Sequence, residues 1–149
     1  MERAPQTLVL DASVAVKWFI EEEDTDKALL IRKRYIERAL ELIAPDLVIY
    51  EIVNAMAEYS GMSDRHLEEN IQSLFGLELD FVAPSSDLIA KIASSARKLR
   101  ISTYDSSYLS MADYMGTYVV TADRELHRRT KGLKRTLLLS ELGKTWDLP

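Results

Sequence analysis

Four carboxylic acids stand apart from the other Asp and Glu residues of this chain by where they fall. Asp11 directly follows the aliphatic run TLVL at residues 7–10, and Asp123 follows YVVTA. Asp105 follows ISTY and opens a helical stretch, while Glu51 interrupts the apolar helix LVIYEIVNAM. An ionised side chain among Val48, Ile49, Ile52 and Val53 is costly to bury unless it is paired or binds a cation, and the same holds for Asp11 between Leu10 and Val14. Each residue also has an ordinary explanation. Asp105 and Asp123 fit helix N-caps, Asp11 a cap at a strand end, and Glu51 a salt-bridged helix residue. One shared explanation covers all four, because the ligand crevice of an open α/β sheet lies beyond the carboxyl ends of its strands. Four carboxylates in one cleft repel each other. A hard divalent cation such as Mg²⁺ or Mn²⁺ removes the conflict, taking one or two carboxylates and keeping waters. Such a site suits phosphodiester hydrolysis: it stabilises developing charge and lowers the pKa of a bound water.

Other chemistries find little footing. The 149 residues contain no cysteine, which removes disulfides, thiolate zinc sites and cysteine nucleophiles and agrees with a reducing, cytoplasmic location. There is no phosphate loop of the form GxxxxGK[ST] and no GxSxG nucleophile elbow. An aspartyl-nucleophile phosphatase calls for a second Asp two positions after the first, where Ser13 stands. The two histidines, His66 and His127, lie far apart in the chain and read as exposed or core-edge residues. A net charge of −5 argues against a protein that coats nucleic acid indiscriminately. No targeting segment is visible and no apolar run reaches ~18 residues, so no membrane association is expected.

The elements that must position these acids alternate along the chain. Strands are predicted at 7–10, 42–44, 79–82, 118–121 and 136–139, with a short extended piece at 101–104. Helices are predicted at 12–20, with Ser13 as a candidate cap, at 26–42, from Asp46 to about Tyr59, from Ser63 to Phe75, at 87–99 and from Asp105 to Met115. A helical turn covers 124–129, and the acidic run from Glu21 to Asp24 reads as a solvated loop. With 47% hydrophobic residues and this length, one domain spanning 1–149 is expected. The fold class is α/β, a short-stranded and mainly parallel sheet with helices on both faces.

Four blocks carry a resemblance: VLDASV (9–14), PDLVIYEIVN (45–54), TYDSSYLSMA (103–112) and VVTADREL (119–126). Together, and in this order over nearly the whole chain, they resemble the PIN-domain nucleases, above all the VapC-type toxins of prokaryotic toxin–antitoxin systems. The resemblance implies a Rossmann-like three-layer α/β/α fold and Mg²⁺- or Mn²⁺-dependent endoribonuclease activity. It places metal ligands at Asp11, Glu51, Asp105 and Asp123, with Ser13, Asn54 and Thr121 as polar supports. It also implies an RNA substrate, a homodimer and a cognate antitoxin that inserts into the acidic groove. Ser106 and Ser107 depart from the small apolar residues frequent in the third block, and Asp113 reads as a surface or supporting charge. Two basic groups flank the acids: Arg124, Arg128, Arg129, Lys131, Lys134 and Arg135 after Asp123, and Arg97, Lys98 and Arg100 before Asp105. Both could hold a phosphate backbone. Tyr104, Tyr108 and Trp18 are candidates for base stacking or for packing. The apolar stretch 48–56 offers a surface for dimerisation. Two alternatives stay open, a PIN-like RNA- or protein-binding module with little cleavage and a housekeeping RNA-processing nuclease.

Overall fold

The computed structural model describes residues 4–149. Its centre is β1 (Gln6–Leu10), where Leu8, Val9 and Leu10 are wholly buried. A strand apolar on both faces is what a central parallel strand requires. It is flanked by β2 (Leu40–Pro45) and β4 (Val119–Thr121), with β3 (Asp80–Val82) and β5 (Thr136–Leu138) at the edges. The order is β3-β2-β1-β4-β5 and every pairing is parallel.

Parallel neighbours need crossovers, and right-handed crossovers fix which face each helix covers. Helices α1 (Ala12–Ala15), α2 (Thr25–Ile36), α3 (Leu47–Glu58) and α4 (Asp64–Gly76) serve the half running from β1 to β3. Helices α5 (Ser86–Leu99), α6 (Thr103–Met115) and α7 (Arg124–Arg129) serve the half that returns to β4 and β5. The result is the expected three-layer α/β/α fold. The strand order reverses between β1 and β4, so a crevice opens beyond the carboxyl ends of these two strands.

Three boundaries differ from the sequence expectation, each for a local reason. The helix predicted over 26–42 stops at Ile36, and β2 begins at Leu40. Arg38 adopts φ +62°, and the Ala39 N–H returns to the Arg34 carbonyl, a left-handed helix stop made without glycine. The extended piece at 101–104 is not a strand. Ser102 caps α6 by accepting the Asp105 N–H, so the helix starts at Thr103 and Asp105 lies in its first turn. The helix predicted over 12–20 is four α-helical residues followed by a tighter turn at Val16–Trp18, and Ser13 does not cap it.

The acidic run is less free than a solvated loop. Lys17, nearly buried, donates through Nζ to the Glu23 carbonyl and the Glu22 carboxylate, and Arg124 pairs with Glu23 at 3.2 Å. The face of α3 built from Val48, Ile52 and Met56 is consumed by the core, leaving Tyr50, Glu51 and Asn54 outside. The stretch 48–56 therefore supplies no spare apolar face from those three residues. Among the described residues no helix is long and apolar enough to cross a membrane.

Ile52 is the plainest test of this packing, being fully buried between α3 and the sheet. Ile52→Ala is expected to cost about 2–5 kcal/mol of unfolding free energy, read from chemical denaturation.

Candidate active site

Asp11 sits where β1 ends, its N–H still bonded to the Val120 carbonyl of β4. Its side chain is almost wholly buried. Oδ2 accepts two hydrogen bonds, from Ser13 Oγ at 2.6 Å and from Thr121 Oγ1 at 2.7 Å. Each hydroxyl in turn accepts a backbone N–H, Ala122 onto Ser13 and Asp123 onto Thr121. A hydroxyl has one proton, so both donors are committed to Asp11 and the 3.3 Å contact between them is only proximity. Two backbone amides of the β4–α7 turn thus act on the carboxylate through relays. The arrangement fixes its plane and loads Oδ2, while Oδ1 takes no hydrogen bond from the described residues.

The other three acids are coupled to this one through their charges. Glu51 projects from α3 and is exposed, contrary to the burial inferred from its apolar neighbours in sequence: helical periodicity turns Val48 and Ile52 inward and Glu51 out. Its carboxylate end is nevertheless held, because the buried Tyr108 hydroxyl donates to Oε1 at 2.6 Å. Asp105 lies half-buried in the first turn of α6. Asp123, exposed, heads α7 and accepts the Leu126 N–H at 3.0 Å, so the helix-cap explanation holds for it and not for Asp105.

Electrostatics tie the four together. Burial pushes the Asp11 carboxyl above its usual value of 3.8, the Ser13 and Thr121 bonds oppose this, and the charges of Asp105 and Asp123 add to it. Glu51 is raised by desolvation against Tyr108's pull downward, with Asp11 and Asp105 pushing it further up. Asp105 is also raised, by desolvation and then by Asp123, while Ser102 and Arg129 draw it down. Tyr108 is raised strongly by burial and the neighbouring acids, so its phenol stays protonated and donates. Mutual repulsion of this kind marks one shared field.

The donors available are all hard carboxylate and hydroxyl oxygens, which suits Mg²⁺ or Mn²⁺ and no soft metal. Among the described residues no three His, Cys, Asp or Glu side chains form a ready-made ligand set. A hydrated Mg²⁺ needs only one or two direct carboxylates, and Asp11 Oδ1 is the natural first.

The remaining sequence candidates divide. Ser13 and Thr121 join the site; Asn54 is exposed one turn beyond Glu51 and forms no hydrogen bond among the described residues. Trp18 is a core residue bonded to the Ala28 carbonyl, and Tyr108 is likewise buried, whereas Tyr104 stands exposed beside Asp105. Asp113 pairs with Arg135 on the surface. His127 Nδ1 meets Thr136 Oγ1, and His66 lies exposed in the first turn of α4. Tyr108 as the partner of Glu51 escaped the sequence reading. Its one signal was its place three residues after Asp105, where helical spacing puts both on neighbouring positions.

Comparison with known proteins bears on the family and the fold. Residues 8–132 match the model of the PIN domain family. Ribonuclease VapC3 of Pyrobaculum aerophilum is 27% identical over 130 residues, covering 85% of this chain and 96% of that protein. The crystal structure of PAE2754 from Pyrobaculum aerophilum superposes with a TM-score of 0.58 at 26% identity, covering 93% of each chain.

The raised acids set a sign for pH dependence. A carboxyl whose folded pKa exceeds its unfolded one stabilises the fold below the unfolded value, near 3.8 for Asp11, and loses that contribution as pH rises through the folded one. Glu125, lowered by its exposed pair with Arg128, acts in the opposite sense but is screened by solvent. In EDTA, Asp11→Asn is therefore expected to raise Tm at pH 7 and to flatten the fall in Tm as pH rises above 3.8, read by calorimetry.

Proposed function

The chain belongs to the PIN domain family, and on that premise we propose that it is a metal-dependent endoribonuclease, the toxin of a VapBC-type pair. The observation that carries the proposal is Asp11: a desolvated carboxylate, oriented by two hydroxyls, inside the field of Asp105, Asp123 and Glu51. Without a cation such a cluster costs stability, and a bound cation removes that cost. The similarity to Ribonuclease VapC3 over most of both chains supports RNA as the substrate.

In this reading Asp11, Glu51, Asp105 and Asp123 hold Mg²⁺ or Mn²⁺. When bound there, the ion supplies charge stabilisation at the phosphodiester and a water of lowered pKa. Ser13 and Thr121 both bond Oδ2 of Asp11 and leave Oδ1 for the ion. Tyr108 occupies one oxygen of Glu51 and leaves the other free. Asp123, tied to the Leu126 N–H through Oδ1, has Oδ2 for a water or a second ion. Asn54, exposed one turn after Glu51, serves in this reading as a polar support for substrate or solvent.

The similarity to a VapC protein also supports a cognate antitoxin that covers the acidic cleft, a cytoplasmic setting and a single nuclease unit over 1–149. A homodimer is proposed on the same basis, with exposed Tyr50, Ile89 and Tyr104 as apolar surface available for it.

Incubation with an RNA panel is expected to give discrete cuts with Mg²⁺ or Mn²⁺ and none with EDTA. Asp11→Asn and Asp105→Asn are each expected to lower the rate at least 100-fold (on the order of 3 kcal/mol); cleavage that survives EDTA or both substitutions rejects the mechanism. Sedimentation at micromolar concentration is expected to give a dimer, and a monomer there rejects that part.

A further inference from the structure

The arginines that follow Asp123 are not equivalent once folded. Arg124 is paired with Glu23, Arg128 is held at two points by Glu125, and Arg135 is paired with Asp113. Arg129 differs. It takes no carboxylate partner among the described residues, and it donates through one terminal nitrogen to the Arg100 carbonyl. That carbonyl belongs to the left-handed residue closing α5, two positions before the Ser102 cap of α6. The guanidinium is thereby carried from the end of α7 to the α5–α6 junction, beside the first turn that presents Asp105. Its positive field is felt at Asp105, drawing that carboxyl down. A guanidinium has five N–H donors in a planar fork, and a single bond to a carbonyl leaves most of them for an anion.

We propose that Arg129 is a phosphate-binding residue at the rim of the carboxylate cleft, where it grips a backbone phosphate of single-stranded RNA next to the one to be cut. This rests on the nuclease reading above and adds to it the cation that holds the substrate against a net acidic protein. The α5 cap fixes the guanidinium in advance, so little side-chain freedom is lost on binding. Glu23, Glu125 and Asp113 pair with the neighbouring arginines, which leaves Arg129 as the one of these four without a carboxylate partner among the described residues.

The test compares Arg129→Gln, Arg129→Lys and Arg128→Gln with wild type in steady-state cleavage of a single-stranded RNA between 0.05 and 0.5 M salt. One phosphate contact contributes a log–log slope of about 0.7, or about five-fold in affinity at 0.1 M salt relative to 1 M. Arg129→Gln is expected to raise KM about five-fold at 0.1 M salt, leave kcat within about two-fold, and flatten the salt slope of kcat/KM by about 0.7. Arg129→Lys is expected to keep the wild-type slope and Arg128→Gln to match wild type. An unchanged slope in Arg129→Gln overturns the proposal while leaving the nuclease reading intact. A second arm uses the native protein alone: an RNA oligonucleotide is expected to shield Arg129, more than Arg128, from phenylglyoxal, read by mass spectrometry. This arm decides the case if Arg129→Gln fails to fold or wild type fails to cleave, and no protection at Arg129 overturns the proposal.

Discussion

Placing an ionisable carboxylate directly after three buried apolar residues of the central strand is the constraint around which this molecule is arranged. Leu8, Val9 and Leu10 bring the chain to the middle of the sheet with no solvent on either side. Asp11 then inherits that burial. Its charged form is tolerated because Ser13 and Thr121 donate to it, and those hydroxyls are themselves set by amides of the β4–α7 turn. The parallel pairing of β1 with β4 is thus more than a scaffold, since Thr121 reaches Asp11 only when these two strands are neighbours.

From this centre the rest of the site follows at decreasing cost. Glu51 is exposed as a residue but anchored at one oxygen by a buried phenol that comes from the opposite helical layer. Asp105 and Asp123 sit in the first turn and at the cap of their helices, where the positive end of the helix dipole favours an anion. Those two need least help from neighbours, and Asp123 is satisfied by its own helix. The gradient from buried to exposed runs Asp11, Asp105, then Glu51 and Asp123, and only Asp11 takes two hydrogen bonds on its carboxylate.

The net charge of −5 conceals how the surface is organised. Acidic loops and caps neutralise several arginines one by one, so the cations that count are those left unpaired. Lys17 shows the same economy inward: nearly buried, it closes the acidic run at Glu22 and Glu23, and Glu23 then holds Arg124. Charge balance here is local, and composition averages it away.

Much of this was legible in residue order. Strand–helix alternation, the apolar runs of β1 and β4, and the acids lying just past them in sequence express short-range physics: periodicity, capping and the cost of burying charge. The helix stop at Arg38 was not, because a left-handed arginine gives no glycine signal. Nor was the exposure of Glu51, since apolar neighbours in sequence are not neighbours on a helix face. The four carboxylates the sequence singled out by position were given a common field only by tertiary structure, which joined residues more than a hundred positions apart through Thr121 and Asp11. It also decided which tyrosine is buried, which of the arginines after Asp123 are paired, and which oxygen of Asp11 accepts the two hydroxyls. Those are outcomes of long-range packing, and no local pattern encodes them.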